Sequence, residues 1–215
     1  MAQTESSNHK IDDESYYERS MRTFFGSRWH LRCVEMIRDL MPARDLTVLK
    51  HLDIGCGDGY RIRMIKPVGE IVGIDIDENM VAHARKRGVN ACVGDAEDVH
   101  FPDESFGLVT GIEVLEHVMH PTVALAEAYR VLKRGGFFIC VTPNASILFS
   151  VIWKLWTARG LGRVWHDKHI HEYKLWGRTK SGVSLIDRLR DVGFKPEKTA
   201  STNLGMVNGV RCVKI

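Results

Sequence analysis

The stretch HLDIGCGDGY, residues 51–60, places three glycines and two aspartates within ten residues, directly after an apolar run. An apolar run that ends in glycines reads as a buried strand entering a tight turn. YRIRMIKPV, which follows, reads as a helix closed by Pro67 and Gly69. The glycine spacing is wrong for phosphate. Gly55-x-Gly57-x-Gly59 is neither the dinucleotide pattern GxGxxG nor the mononucleotide pattern GxxxxGK[ST], and no Lys-Ser or Lys-Thr follows it. No Lys or Arg stands inside the loop to meet a phosphate. A backbone this bare still lets a ligand approach closely.

Working outward, residues 16–41 have a helical pattern, with Leu31, Val34 and Ile37 in register and Pro42 stopping the run. The strand TVLKHLDIG leads into the loop. Beyond it, EIVGIDID reads as a strand, and ENMVAHARKRG as a helix with Gly88 just past its end. NACVGD and SFGLVTGIEV read as strands and PTVALAEAYRVLKRGG as a helix. FFICVTPN is a further strand and SGVSLIDRLRDVGF a further helix. KPEKTASTNLG and GVRCVKI close the series as two strands. Strands alternating with helices define βαβ units, hence a doubly wound α/β fold with helices on both faces. The expectation is a mostly parallel seven-stranded sheet with an antiparallel last strand, because the final two strands lie too close together for a helical crossover. Ligands bind at the carboxyl ends of strands in such sheets.

The bulk numbers agree with one ordinary globular unit: 215 residues, 44% hydrophobic, 27% charged, net charge +3. That charge is too small to argue for a dedicated nucleic-acid binder. The five cysteines (Cys33, Cys56, Cys92, Cys140, Cys212) form no CxxC pair and read as reduced thiols, which points to the cytoplasm. MAQTESSNHKIDDES has no apolar core and is expected to fray, so residues 1–15 are assigned to a disordered tail and 16–215 to the folded domain. No segment reaches the roughly 20 apolar residues of a membrane span.

The strand ends carry a series of acids. Asp75 ends the second strand, twenty residues past Gly55, where a carboxylate hydrogen-bonds ribose hydroxyls. Asp53, with no basic partner in the loop, suits a ligand bearing an amino group. Asp95 ends the third strand and can accept from the exocyclic amine of adenine. Ribose, adenine and an aminoacyl tail without phosphate describe S-adenosylmethionine (SAM). The pieces LDIGCGDG, VGIDIDENMVAHA, VGDAEDVHFPDESF, EVLEHV and RVLKRGGFFICVTPN resemble the class I SAM-dependent methyltransferases, over about residues 48–194. The resemblance implies that Asp53, Gly55 and Gly57 flank the methionine moiety. It implies that Asp75 holds the ribose diol beside Ile76 and Met80, and that Asp95 and Ala96 meet the adenine. Gly107 departs from the family, which usually has Asp there. Cys56 has no His or Asn partner in view and reads as loop packing.

The acceptor side is expected to hold Glu113, Glu116 and His117, spaced i, i+3, i+4 after the fourth strand and sharing one face of a helical turn. Thr142, Pro143 and Asn144 should line it from the fifth strand. WHDKHIHEY adds His166, His169 and His171. Glu113, His117 and His169 are the catalytic candidates, with His117 or His169 as a general base. Two carboxylates plus imidazoles also suit Mg²⁺ or Mn²⁺, held by Glu113, Glu116, His117 and His169. ExxEH with a distant His resembles two branches of the family, the quinone-biosynthesis O-methyltransferases and the small-RNA 2′-O-methyltransferases. SILFSVIWKLWTARGLGRVW, residues 146–165, is apolar, aromatic and basic. It reads as part of a lid over about 146–175, which could cover a hydrophobic small molecule, rest on a lipid surface, or make a dimer contact. The favoured acceptor is a small, apolar or phenolic molecule methylated on oxygen. RNA and a SAM-binding module without turnover are the alternatives.

Overall fold

The computed structural model describes residues 21–22, 24–65, 69–144 and 184–215. Its helices are α1 (Phe24–Leu40), α2 (Tyr60–Met64), α3 (Glu78–Lys86), α4 (Pro121–Val131) and α5 (Leu185–Val192). Its strands are β1 (His51–Ile54), β2 (Ile71–Asp75), β3 (Asn90–Val93), β4 (Phe106–Ile112), β5 (Leu132–Pro143), β6 (Phe194–Thr202) and β7 (Val207–Lys214). They form one sheet in the order β3-β2-β1-β4-β5-β7-β6. The pairs β1–β2, β1–β4, β2–β3 and β4–β5 are parallel, while β7 runs antiparallel to both β5 and β6. The expected architecture is therefore the observed one. β1 lies where the chain reverses its direction of winding, so the end of β1 opens on the crevice where this architecture binds ligands.

Two apolar clusters sandwich the sheet. One joins Leu125 and Val131 of α4 and Leu185 and Leu189 of α5 to Phe106, Phe138 and Phe194. The other joins Ile37 and Leu40 of α1, Ile62 of α2 and Val81 of α3 to Leu108 and Ile139. Fully burying a side chain of this size is worth roughly 1.5–3 kcal/mol, so these faces hold the helices in place. A capping box starts α5: Ser184 Oγ accepts from Asp187 N at 3.2 Å, and Asp187 Oδ2 accepts from Ser184 N at 3.1 Å.

One helix face and several boundaries differ from the sequence reading, among them the ends of α4 and β4. On α1, Val34 and Ile37 are buried but Leu31 is 44% exposed, and His30 takes the inward position instead. The helix α4 stops at Val131 rather than running to the glycine pair, because Leu132 already pairs with Phe106 as the start of β5. The strand β4 ends at Ile112, since Glu113 adopts φ +53° and turns the chain out of the sheet. The tail and the proposed lid, with His166, His169 and His171, lie outside the described residues.

Candidate active site

The loop after β1 folds back on β2. The backbone N–H groups of Gly55 and Cys56 both donate to Ile74 O, at 2.8 and 2.9 Å. Gly55, Gly57 and Gly59 have φ of +72°, +54° and +75°, a region that favours glycine. A Cβ on Gly55 would sit 2.5 Å from Val114 Cγ2, so no side chain fits between the loop and the turn after β4. Asp58 is not a ligand candidate. Its buried carboxylate caps Tyr60 N at 3.0 Å and pairs with Arg87 at 3.2 Å, tying the loop to α3. Cys56 is buried, and burial pushes its thiol far up, which fits packing rather than nucleophilic chemistry.

The acids at the strand ends occupy different environments. Asp75 accepts from Gly57 N at 2.8 Å and from Asp77 N at 3.0 Å, so both oxygens are oriented by backbone while lone pairs remain for a ligand diol. Its backbone carbonyl also receives Gly94 N at 3.0 Å, which joins the ends of β2 and β3. Partial burial raises the Asp75 carboxyl above its usual range, against the lowering effect of those two N–H groups. Ile76 is 73% exposed beside it and Met80 is half-buried on α3. Asp95 is exposed and accepts from Glu97 N at 2.8 Å, and Ala96 is buried behind it. Asp53 is 4% exposed and accepts a hydrogen bond from Thr110 Oγ1, whose hydroxyl also meets His51 Nε2 at 2.8 Å. Burial pushes the Asp53 carboxyl up to about 7, opposed by the Thr110 bond and reinforced by the charge of Asp75. A bare loop, an oriented carboxylate at the end of β2 and a second acid after β3 lie along one edge, and these residues fit SAM.

The acceptor side does not form the shared helical face expected of Glu113, Glu116 and His117. The segment is a turn, closed by His117 N donating to Val114 O at 2.9 Å. Glu113 N is held by Val141 O at 2.7 Å, and the Glu113 carboxylate pairs with Arg61 Nη2 on α2. Although burial opposes it, Arg61 keeps the Glu113 carboxyl below its usual range. The Trp29 indole adds a small lowering, although no hydrogen bond of ordinary geometry joins the two groups. Glu116 is buried, and its carboxyl is raised well above the usual range by that burial and by the charge of Glu113. His117 is exposed and lies near enough to Asp75 for its charge to lower the Asp75 carboxyl. Asn144 is anchored to the β6–β7 hairpin through its N–H to Met206 O at 2.7 Å and its Nδ2 to Gly205 O at 3.0 Å.

Among the described residues, no three His, Cys, Asp or Glu side chains gather so as to hold a metal ion. With Glu113 taken by a guanidinium, Glu116 buried and His117 exposed, these three do not fit one. Four participants escaped the sequence reading: Arg61, His30, His51 and Thr110. The signal for His51 was a polar residue opening a wholly buried strand. For Arg61 there was none, since an arginine in an amphipathic helix ordinarily faces water. His30 Nδ1 lies 3.2 Å from Arg61 Nη2, and an arginine can only donate, so Nδ1 is the acceptor. Burial, then the charge of Arg61, lowers His30 to about 4, which keeps it neutral.

Residues 52–140 match the family described as a methyltransferase domain. The chain is 38% identical over 161 residues to a protein of Mycolicibacterium smegmatis named "Probable S-adenosylmethionine-dependent methyltransferase", a match covering 74% of this chain and 55% of that one. It is 30% identical over 172 residues to a ubiquinone biosynthesis O-methyltransferase of Cereibacter sphaeroides, covering 75% of this chain and 66% of the relative. The chain thus spans less than two thirds of the length of these relatives. Two solved structures share the fold. A SAM-dependent methyltransferase from Thermotoga maritima is 24% identical with TM-score 0.66, covering 93% of this chain and 99% of that one. Magnesium protoporphyrin IX methyltransferase from Synechocystis with bound SAH (S-adenosylhomocysteine) is 18% identical with TM-score 0.68, covering 93% of each chain. The protein belongs to the class I SAM-dependent methyltransferases.

Proposed function

We propose that the chain transfers a methyl group from SAM to an oxygen atom of a small, apolar or phenolic acceptor. The observation that carries the reading is Asp75, fixed by Gly57 N–H at the end of β2 beside a loop that admits no side chain. SAM, when bound, supplies a methyl group activated on a sulfonium. The protein's own work is to hold the ribose diol through Asp75, the adenine edge through Asp95 and Ala96, and the aminoacyl end near Asp53, Gly55 and Gly57. Positioning of this kind supplies most of the rate gain in an in-line substitution. His117, exposed beside the cleft, takes the proton from the acceptor hydroxyl, with His169 as the other candidate base. Glu113 is assigned to holding Arg61 rather than to moving a proton. Oxygen as the acceptor atom is supported by the likeness to the ubiquinone biosynthesis O-methyltransferases.

The test is SAH formation with a panel of catechols and hydrophobic phenols. Turnover is expected, and His117→Ala should lower kcat by roughly 10²–10⁴-fold if His117 is the base. Methyl incorporation into RNA with no phenol methylated would move the acceptor to nucleic acid. Tight SAH binding with no turnover on any substrate would leave a binding module.

A further inference from the structure

One polar cluster beside the glycine loop has no task in cofactor binding. Arg61 stands two residues past Gly59, on α2, and its side chain is 7% exposed. It reaches the carboxylate of Glu113, whose own side chain is 15% exposed, and it also meets His30 on α1. Glu113 is delivered there by the positive φ that ends β4. Around the pair, Glu113 Oε1, Glu116 Oε2 and Trp29 Nε1 are buried without a hydrogen-bond partner among the described residues. Glu113 and Glu116 lie close enough for the charge of one to act on the other, and paired carboxylates are what oxygen-seeking divalent ions favour. The position a cation would take against Glu113 is instead filled by a guanidinium.

We propose that Arg61 is the resident cation of the acceptor site, standing where a divalent ion would otherwise join Glu113 to Glu116, so that methyl transfer by this chain needs no metal. The proposal rests on the methyltransferase reading for its function, but not for its geometry. A divalent ion approaching Glu113 would meet the like charge of Arg61 and would have to break a buried ion pair. Arginine cannot step aside by losing its proton, so the exclusion holds across the working pH range. Arg61 is a positioning residue: it neutralises and aims Glu113 without itself being placed against the reacting atoms.

The experiment is titration of the chain with Mn²⁺, followed by electron paramagnetic resonance. The wild-type chain is expected to leave the free Mn²⁺ signal unchanged at micromolar ion. Arg61→Ala should take up about one Mn²⁺ per chain, and adding Glu113→Gln should abolish that uptake, as expected for a carboxylate site freed of its counter-ion. Stoichiometric Mn²⁺ binding by the wild type, lost in Glu113→Gln, would overturn the proposal. So would a folded Arg61→Ala chain that binds no more than wild type. Should Arg61→Ala not fold, the wild-type arm and its Glu113→Gln control decide the matter. SAH calorimetry on the same samples reads the family assignment separately, because losing SAH binding strikes that assignment and leaves the Mn²⁺ result standing.

Discussion

When Asp53 is ionised, Thr110 gives it its one hydroxyl proton and thereby settles the state of His51. Its oxygen must then accept from His51 Nε2–H, which leaves Nδ1 bare and without a partner among the described residues. Burial holds His51 neutral by lowering it to about 3. Asp53 is the opposite case, raised from 3.8 to about 7. The folded chain therefore binds the Asp53 proton more tightly than the unfolded chain does. Its contribution to stability is complete below about pH 4 and is lost as pH rises through 7. Asp53→Asn removes that loss. Relative to wild type, the variant is expected to gain about 1.4 kcal/mol per pH unit at most across that window, read from urea midpoints at several pH values. His51 and His30 titrate with the reverse sign, so the difference between the two proteins, not the wild-type curve, reads Asp53. At Gly55, alanine would be strained at φ +72° and would strike Val114, so Gly55→Ala should abolish SAH binding in calorimetry and cost roughly 1–3 kcal/mol in stability. The acids at the strand ends were legible because each follows an apolar run. Arg61 and His30 were not, because helical periodicity assigns charged and polar residues to the water side, and only the buried charge of Glu113 draws them in.

Among the elements, α1 and α2 have a double duty: they cover one face of the sheet and carry His30 and Arg61 to its ends. Sequence periodicity found both helices but could not place their faces to within one residue. Leu31 outside and His30 inside is the result, and it sets His30 against Arg61. The end of α4 was misread for a related reason. VLKRGG continues a good helical pattern, but Leu132 is claimed by pairing with Phe106 across the sheet, a contact with no local trace. By contrast α5 carries its start signal in the chain itself, Ser184 with Asp187 three residues on. Ser184→Ala should cost about 1 kcal/mol, measurable as a shifted denaturant midpoint, with SAH affinity unchanged because the helix lies away from the loop.

For the whole molecule, the order β3-β2-β1-β4-β5-β7-β6 sets the ends of β1, β2 and β3, which carry the proposed cofactor residues, side by side in the sheet. Ligand binding across that many elements couples to global stability. SAH at a hundred times its Kd adds about 2.7 kcal/mol, so the melting temperature is expected to rise by about 5–10 °C. Asp75→Asn should reduce that rise sharply while leaving the ligand-free melting temperature nearly the same. The alternation of strands and helices made this architecture readable. The acceptor identity was not, because it depends on side chains that meet only after folding.

The position of β7 has a consequence for synthesis. Val207, Val210 and Cys212 are wholly buried, and their strand fills the gap between two others made earlier. Until the ribosome has released that segment, the long β5 has one row of peptide groups unclaimed and a strip of apolar surface uncovered. A nascent chain halted just short of Val207 is thus open to edge-on association with its copies, and chaperones that shield exposed strands have their work here.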